Sequence, residues 1–214
     1  MDLAQAQAMV ATMADMQEHH NRNVHPLWRD QDYAYYRAVW VECAELLDHF
    51  GWKWWKLQRP DLDQVKLEIV DIWHFGLSDL MRGGALDGSV AEMLHATASA
   101  PDGAPSAGGE AFRLAVEELA ASTLGGRRFA MEPFVAVLSS LPLPLDELFR
   151  MYVGKNVLNN FRQEHGYKTG QYRKLWQGRE DNEHLVELLM ALDCPPEEMP
   201  LRLYDHLSDR YAAS

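Results

Sequence analysis

Glu42 and Glu45 stand three residues apart in "VECAELLDHFGWKWWK", residues 41–56, an otherwise mostly apolar run. On a helix that spacing puts two like charges on one face, where they repel by roughly 0.2–0.5 kcal/mol. A second pair repeats the arrangement: Glu68 and Asp71 in "LEIVDIWHF", residues 67–75, surrounded by Leu67, Ile69, Val70, Ile72, Trp73 and Phe75. One such pair alone is an ordinary solvated face. Two pairs on consecutive antiparallel helices can point at one spot between them. Four ionised carboxylates there are strongly unfavourable without positive charge. Protonating some of them, as a structural carboxylate network, is one way out; a bound cation is the simpler one. Ligands that are all carboxylate oxygens suit hard cations, Mg²⁺ or alternatively Mn²⁺, rather than zinc. Such Mg²⁺ sites keep several waters and take further ligands from substrate phosphates. His74, beside this cluster, fits a supporting or core histidine better than a ligand.

A complementary signal lies further along the chain. Arg150, Lys155, Arg162, Lys168, Arg173, Lys174 and Arg179 fall within residues 150–179 against a single acid, Glu164. In a chain of formal charge −12 this concentration points to a local anion site, with a solvated helix face as the plain alternative. Lys155, Asn159 and Arg162 follow at i, i+4 and i+7 and form one polar stripe; Leu158 and Phe161 face another way, towards a core. Lys168 and Lys174 sit on a Gly-containing loop. An acidic metal site with a basic stripe is what a triphosphate requires, the cation bridging oxygens while Arg and Lys neutralise the rest.

The elements that must position these residues are helices. Helical periodicity dominates and strand-like alternation is scarce, so the fold class is all-α. Helices are expected over about residues 3–21, 32–49, 61–80, 111–123, 132–140, 145–165, 181–192 and 197–210. Gly51 and Gly166 serve as stop signals, and Pro60 with Asp61 or Asp63 as a start. In the second helix Val39, Cys43, Leu46 and Phe50 form one apolar stripe, and Trp40, Ala44 and Leu47 another. Glu42, Glu45 and His49 take the remaining direction, so this helix is expected to be buried on most sides. The Ala-, Pro-, Gly- and Ser-rich stretch 98–111 is the clearest loop.

With 214 residues the chain can build one good core, or a core with a smaller subdomain. The expectation is a helical bundle core built around the ExxE and ExxD helices, residues 1–84 and 145–214, with a smaller helical part at 85–144. Apolar runs break well before the ~18–20 residues a membrane span needs, and the N-terminal residues lack the basic region of a signal peptide. Two cysteines, Cys43 and Cys194, make no disulfide framework, and the expected compartment is the cytoplasm. The negative balance argues against nucleic-acid and membrane partners, which demand positive surfaces.

Three blocks, "ECAELLDHFGWKWWK", "EIVDIWHFGLSD" and "KNVLNNFRQEHGYKTGQYRKLWQGREDN", resemble the dimeric dUTP diphosphatases of the all-α NTP pyrophosphatase (MazG-like) superfamily. ExxE followed by ExxD belongs to the whole superfamily; the WKWWK and KNxLNxFRQxxGYKxGxY blocks are more specific. Together they tie residues 33–80 and 152–182 to the family, while 85–145 supplies almost no motif.

The resemblance implies a single all-α domain that hydrolyses dUTP, and dUDP, to dUMP, releasing pyrophosphate or phosphate. It implies Mg²⁺ held by Glu42, Glu45, Glu68 and Asp71, with attack by a metal-activated water on the β-phosphorus. Glu42, or its partner Glu45, would orient or deprotonate that water. Phosphate contacts would be Lys56, Arg162, Lys168 and Lys174, with Tyr172 and Asn182 as further candidates. Gln17, Asn21 and Trp54 would read the base, Phe75 would press on the deoxyribose, and Asn159 is placed with this group. A homodimer is implied, each site completed by its partner. Outside the resemblance these residues have plainer readings: Trp54 and Phe75 as core, Gln17 and Asn21 as surface. Two other functions fit the same carboxylates, a pyrophosphatase acting on another nucleotide such as dCTP and a nucleotide sensor that binds without turnover.

Overall fold

The computed structural model describes residues 1–97, 109–141, 143–194 and 198–213. Most of the expected loop at 98–111 therefore lies outside the described residues. The chain divides into two compact units, Met1–Phe149 and Arg150–Ser214. Among the described residues there are nine α-helices, and the regular strand is confined to one two-stranded hairpin. No described helix is long and apolar enough to cross a membrane.

The first unit contains α1 (Leu3–Val24), α2 (Tyr35–Phe50), α3 (Leu62–Gly83), α4 (Gly88–Thr97), α5 (Glu110–Gly126), α6 (Met131–Ser140) and the start of α7 (Leu145–Glu164). Helix α1 opens on a capping box: the Asp2 carboxylate accepts from the Gln5 amide, and the Gln5 side chain accepts from the Asp2 amide, both at 2.8 Å. Asp61 caps α3 by accepting from the Gln64 amide at 3.2 Å. Gly84 ends α3 in the left-handed region, at φ 66°.

Helices α2 and α3 share the most extensive contact in this unit, and α1 packs on α3. The stripe Val39, Cys43, Leu46 and Phe50 is buried as its spacing predicts, and Leu67, Ile69, Val70, Ile72 and Trp73 are fully covered. Trp73 stacks on Phe134 of α6 at 5.4 Å. Gly76 lies so close to the Phe129 ring that a Cβ there would meet it at 2.6 Å. The second stripe of α2 departs from expectation: Trp40 keeps 45% of its surface and Ala44 is exposed. Helix α4 escaped the sequence reading. Its buried Val90, Leu94 and Thr97 have helical spacing, but the ten-residue helix opens on glycine and is too short for a strong periodic signal.

The second unit holds the rest of α7, a 3₁₀ turn at Tyr167–Thr169, strands β1 (Leu175–Trp176) and β2 (Arg179–Glu180), α8 (Asp181–Ala191) and α9 (Met199–Ala212). The strands pair antiparallel, Leu175 with Glu180 and Trp176 with Arg179. Their two-residue link, Gln177 and Gly178, has φ of 52° and 81°, the doubly positive backbone that suits a hairpin's twist. Phe161 centres an aromatic core, with Trp176 at 5.9 Å and Tyr204 and Tyr211 each at 5.4 Å.

Candidate active site

Packing α2 against α3 brings together carboxylates that lie far apart in sequence. Oxygens of Glu42, Glu68 and Asp71 lie within 4.8 Å of one another. Glu68 is buried, 5% exposed, and Glu42 and Asp71 are partly so. Burial, the charge of Asp71, a hydrogen bond with Glu68, that residue's charge and Glu45 push the Glu42 carboxyl up to about 9. A carboxyl so raised keeps its proton near neutral pH unless a cation takes its place. Opposite oxygens around one hard divalent cation are about 4.0–4.2 Å apart for Mg²⁺ and about 4.6–5.2 Å for Ca²⁺, so the group has the donor chemistry for such an ion and nearly the span. His49 Nε2 stands 3.6 Å from Glu68 and forms a charge pair with it when protonated.

Glu45 is exposed and stands outside that trio, although its charge reaches Glu42. Helix geometry accounts for this: a three-residue step turns the side chain about 60° from its predecessor. When Glu42 faces α3, Glu45 points towards solvent.

The candidate base-reading residues are not surface residues. Gln17 and Asn21 are 3% and 6% exposed. Gln17 Oε1 lies 2.8 Å from His74 Nδ1, so that ring nitrogen carries the hydrogen. Gln17 Nε2 donates to Asn21 Oδ1 at 3.1 Å, Asn21 Nδ2 to Ser78 Oγ at 3.0 Å, and Ser78 Oγ to the His74 carbonyl at 2.9 Å. This chain fixes which way both carboxamides point. Phe75 is half-buried on α3, one turn beyond Asp71. Trp54, by contrast, is 90% exposed and not core. It packs edge-on against Trp55, with Trp52 and Lys53 folded back as both their amides donate to Gln58 Oε1. Lys56 is exposed in the same turn.

In the second unit the stripe at i, i+4 and i+7 forms as its spacing predicts. Arg162 Nη1 donates to Asn159 Oδ1 at 3.2 Å, and Lys155, though 2% exposed, donates to Asn182 Oδ1 at 3.1 Å. At their centre is a residue that sequence reasoning missed. Asp181, fully buried, accepts Arg162 Nε and Nη2 at 2.8 Å each and the Tyr172 hydroxyl at 2.7 Å. Burial alone would raise its carboxyl, but the bonds and charge of Arg162, then Tyr172 and Lys155, outweigh that and hold it below its ordinary value. Burial and the same carboxylate raise the Tyr172 phenol. Lys168 is exposed on the 3₁₀ turn, and Lys174 pairs with Glu180 at 3.0 Å.

A family model described as dUTPase matches residues 9–167, more than half of the chain. No curated protein matches it.

Proposed function

The chain belongs to the dUTPase family, and from that premise we propose that it is a Mg²⁺-dependent hydrolase of dUTP and dUDP. Family membership makes it a dUTP diphosphatase, a hydrolase of nucleotide metabolism. The metal, the second substrate and the residue roles are the proposal's own. The observation that carries it is the trio Glu42, Glu68 and Asp71, with oxygens within 4.8 Å on two packed helices.

Glu42, Glu68 and Asp71 would hold the ion, with Glu45 as the fourth carboxylate of the set. A divalent cation held there supplies charge neutralisation for phosphate oxygens and the acidity that makes water a nucleophile near neutral pH. Glu42 is assigned to orient the attacking water and take its proton. The water oxygen bonds to the β-phosphorus and the bridging oxygen leaves on dUMP, giving pyrophosphate from dUTP and phosphate from dUDP. Lys56, Arg162, Lys168, Lys174, Tyr172 and Asn182 are assigned to the phosphates. Gln17, Asn21 and Trp54 are assigned to uracil, and Phe75 with Asn159 to the sugar and base. The hydrogen bond from His74 to Gln17 supports this, since it leaves the carboxamide in one orientation. A fixed carboxamide can meet the N3–H donor and a carbonyl acceptor of uracil, a pattern that cytosine does not present. On the resemblance and the cysteine content, the chain acts as one domain in a cytoplasmic homodimer.

Product analysis over a panel of deoxynucleoside and ribonucleoside di- and triphosphates with Mg²⁺ tests this reading. dUMP formation from dUTP and dUDP, with the other nucleotides slow, is the expected result. Equal rates on dUTP and dCTP would remove the base assignment.

A further inference from the structure

We propose that Asp181 is a positioning residue that sets the orientation of Arg162 for the phosphates of the nucleotide. This rests on the reading of Arg162 as a phosphate contact, and it adds a residue to which that reading gives no role. The pairing is fork to fork: Arg162 Nε donates to Asp181 Oδ2 and Nη2 to Oδ1, both at 2.8 Å. Two parallel charge-assisted bonds fix the plane of a guanidinium as well as its position. The Tyr172 hydroxyl donates its one hydrogen to the same Oδ2 at 2.7 Å, which steadies the carboxylate that holds Arg162.

Its surroundings fit that task. Asp181 is 0% exposed, so its charge is directed at Arg162 and Tyr172 and not at an approaching anion. It is the first residue of α8, where a negative charge is favoured by the helix dipole. The next residue, Asn182, accepts from both Arg162 Nη2 at 3.2 Å and Lys155 Nζ at 3.1 Å. Two cationic side chains of α7 are thus registered against the first turn of α8 before a ligand arrives. A long arginine set in advance loses less freedom when it meets a phosphate.

The competing account is an ion pair that merely joins α7 to α8, and a binding cycle separates the two. Titration calorimetry with Mg²⁺ present measures the affinity of α,β-imido-dUTP and of 2′-deoxyuridine for wild type, Asp181→Asn, Arg162→Ala and the double variant. The expected result is a loss of about tenfold or more for α,β-imido-dUTP in Asp181→Asn, with deoxyuridine unchanged. In the Arg162→Ala background Asp181→Asn should add less than about twofold, because it acts through that arginine. Full affinity in Asp181→Asn beside a weakened Arg162→Ala overturns this inference and leaves the phosphate reading standing. Arg162→Ala binding like wild type overturns both. A parallel loss of deoxyuridine affinity, or additive losses, would establish the structural account instead. Should Asp181→Asn fail to fold, the Arg162 Nε–H resonance of wild type decides. A sharp, slowly exchanging signal without nucleotide supports the inference, and a rapidly exchanging averaged one overturns it.

Discussion

Gln17 on α1 and His74 on α3, 57 positions apart in the chain, share a buried hydrogen bond of 2.8 Å. It ties a proposed base contact to the same helix that carries Glu68 and Asp71. Ser78, one turn further on, closes the chain by accepting from Asn21. Removing the Gln17 carboxamide as Gln17→Leu should lower the kcat/KM preference for dUTP over dCTP by at least about tenfold, the scale on which a site built for hydrogen bonding rejects a mismatch. Competing-substrate kinetics would check this, and an unchanged preference would take Gln17 out of base recognition.

Trp54 allows a cleaner separation of stability from binding. At 90% exposure it contributes little to the packed interior. Trp54→Ala should leave folding stability within about 0.5 kcal/mol of wild type, as surface changes do. A raised KM for dUTP in this variant then reports a ligand contact directly. Denaturant melts beside steady-state kinetics make the comparison.

Gly76 tests the packing beneath the acidic helix. A Cβ there would meet the Phe129 ring at 2.6 Å. Phe129 is itself held, its amide donating to the buried Asp79 carboxylate at 2.8 Å, so the ring has little freedom to retreat. Gly76→Ala should therefore destabilise by about 1–3 kcal/mol, as overpacking does, read as a lower urea midpoint.

Asp181 should make the protein sensitive to acid. Its folded-state value is depressed, so its contribution is fully present above the ordinary carboxylate value of about 3.9 and is lost as pH falls through the lower, folded value. Asp181→Asn should be less stable than wild type at pH 7, and the difference should shrink as pH falls below about 4. Urea melts across that range would check it; a constant difference would contradict it.

How much of this was legible in the sequence follows from the reach of each interaction. Glu42, Glu68 and Asp71 stood out because like charges at helical spacing amid apolar neighbours conflict locally, and a local conflict is visible in a local window. The core stripe Val39, Cys43, Leu46 and Phe50 was legible for the same reason. The solvent-facing direction of Glu45 was not, because i, i+3 spacing says that two residues are near neighbours and not which of them meets the next helix. The His74–Gln17 and Asn21–Ser78 contacts join residues 57 apart, and no periodicity within one helix announces such a partner. Asp181 was hidden differently. An acid at the first position of a helix looks like ordinary dipole compensation, and only the fold of the hairpin brings Tyr172 and Arg162 to it.

On the proposed function, the carboxylates of α2 and α3 hold a divalent cation that hydrolysis requires. That requirement is read from dUTP cleavage by wild type and Asp71→Asn, measured across a Mg²⁺ titration and in excess chelator. Wild-type turnover should vanish in chelator and return with Mg²⁺, and Asp71→Asn should lose on the order of 10²-fold or more in kcat while remaining folded. Undiminished wild-type turnover in chelator, or full activity in Asp71→Asn, would contradict the account.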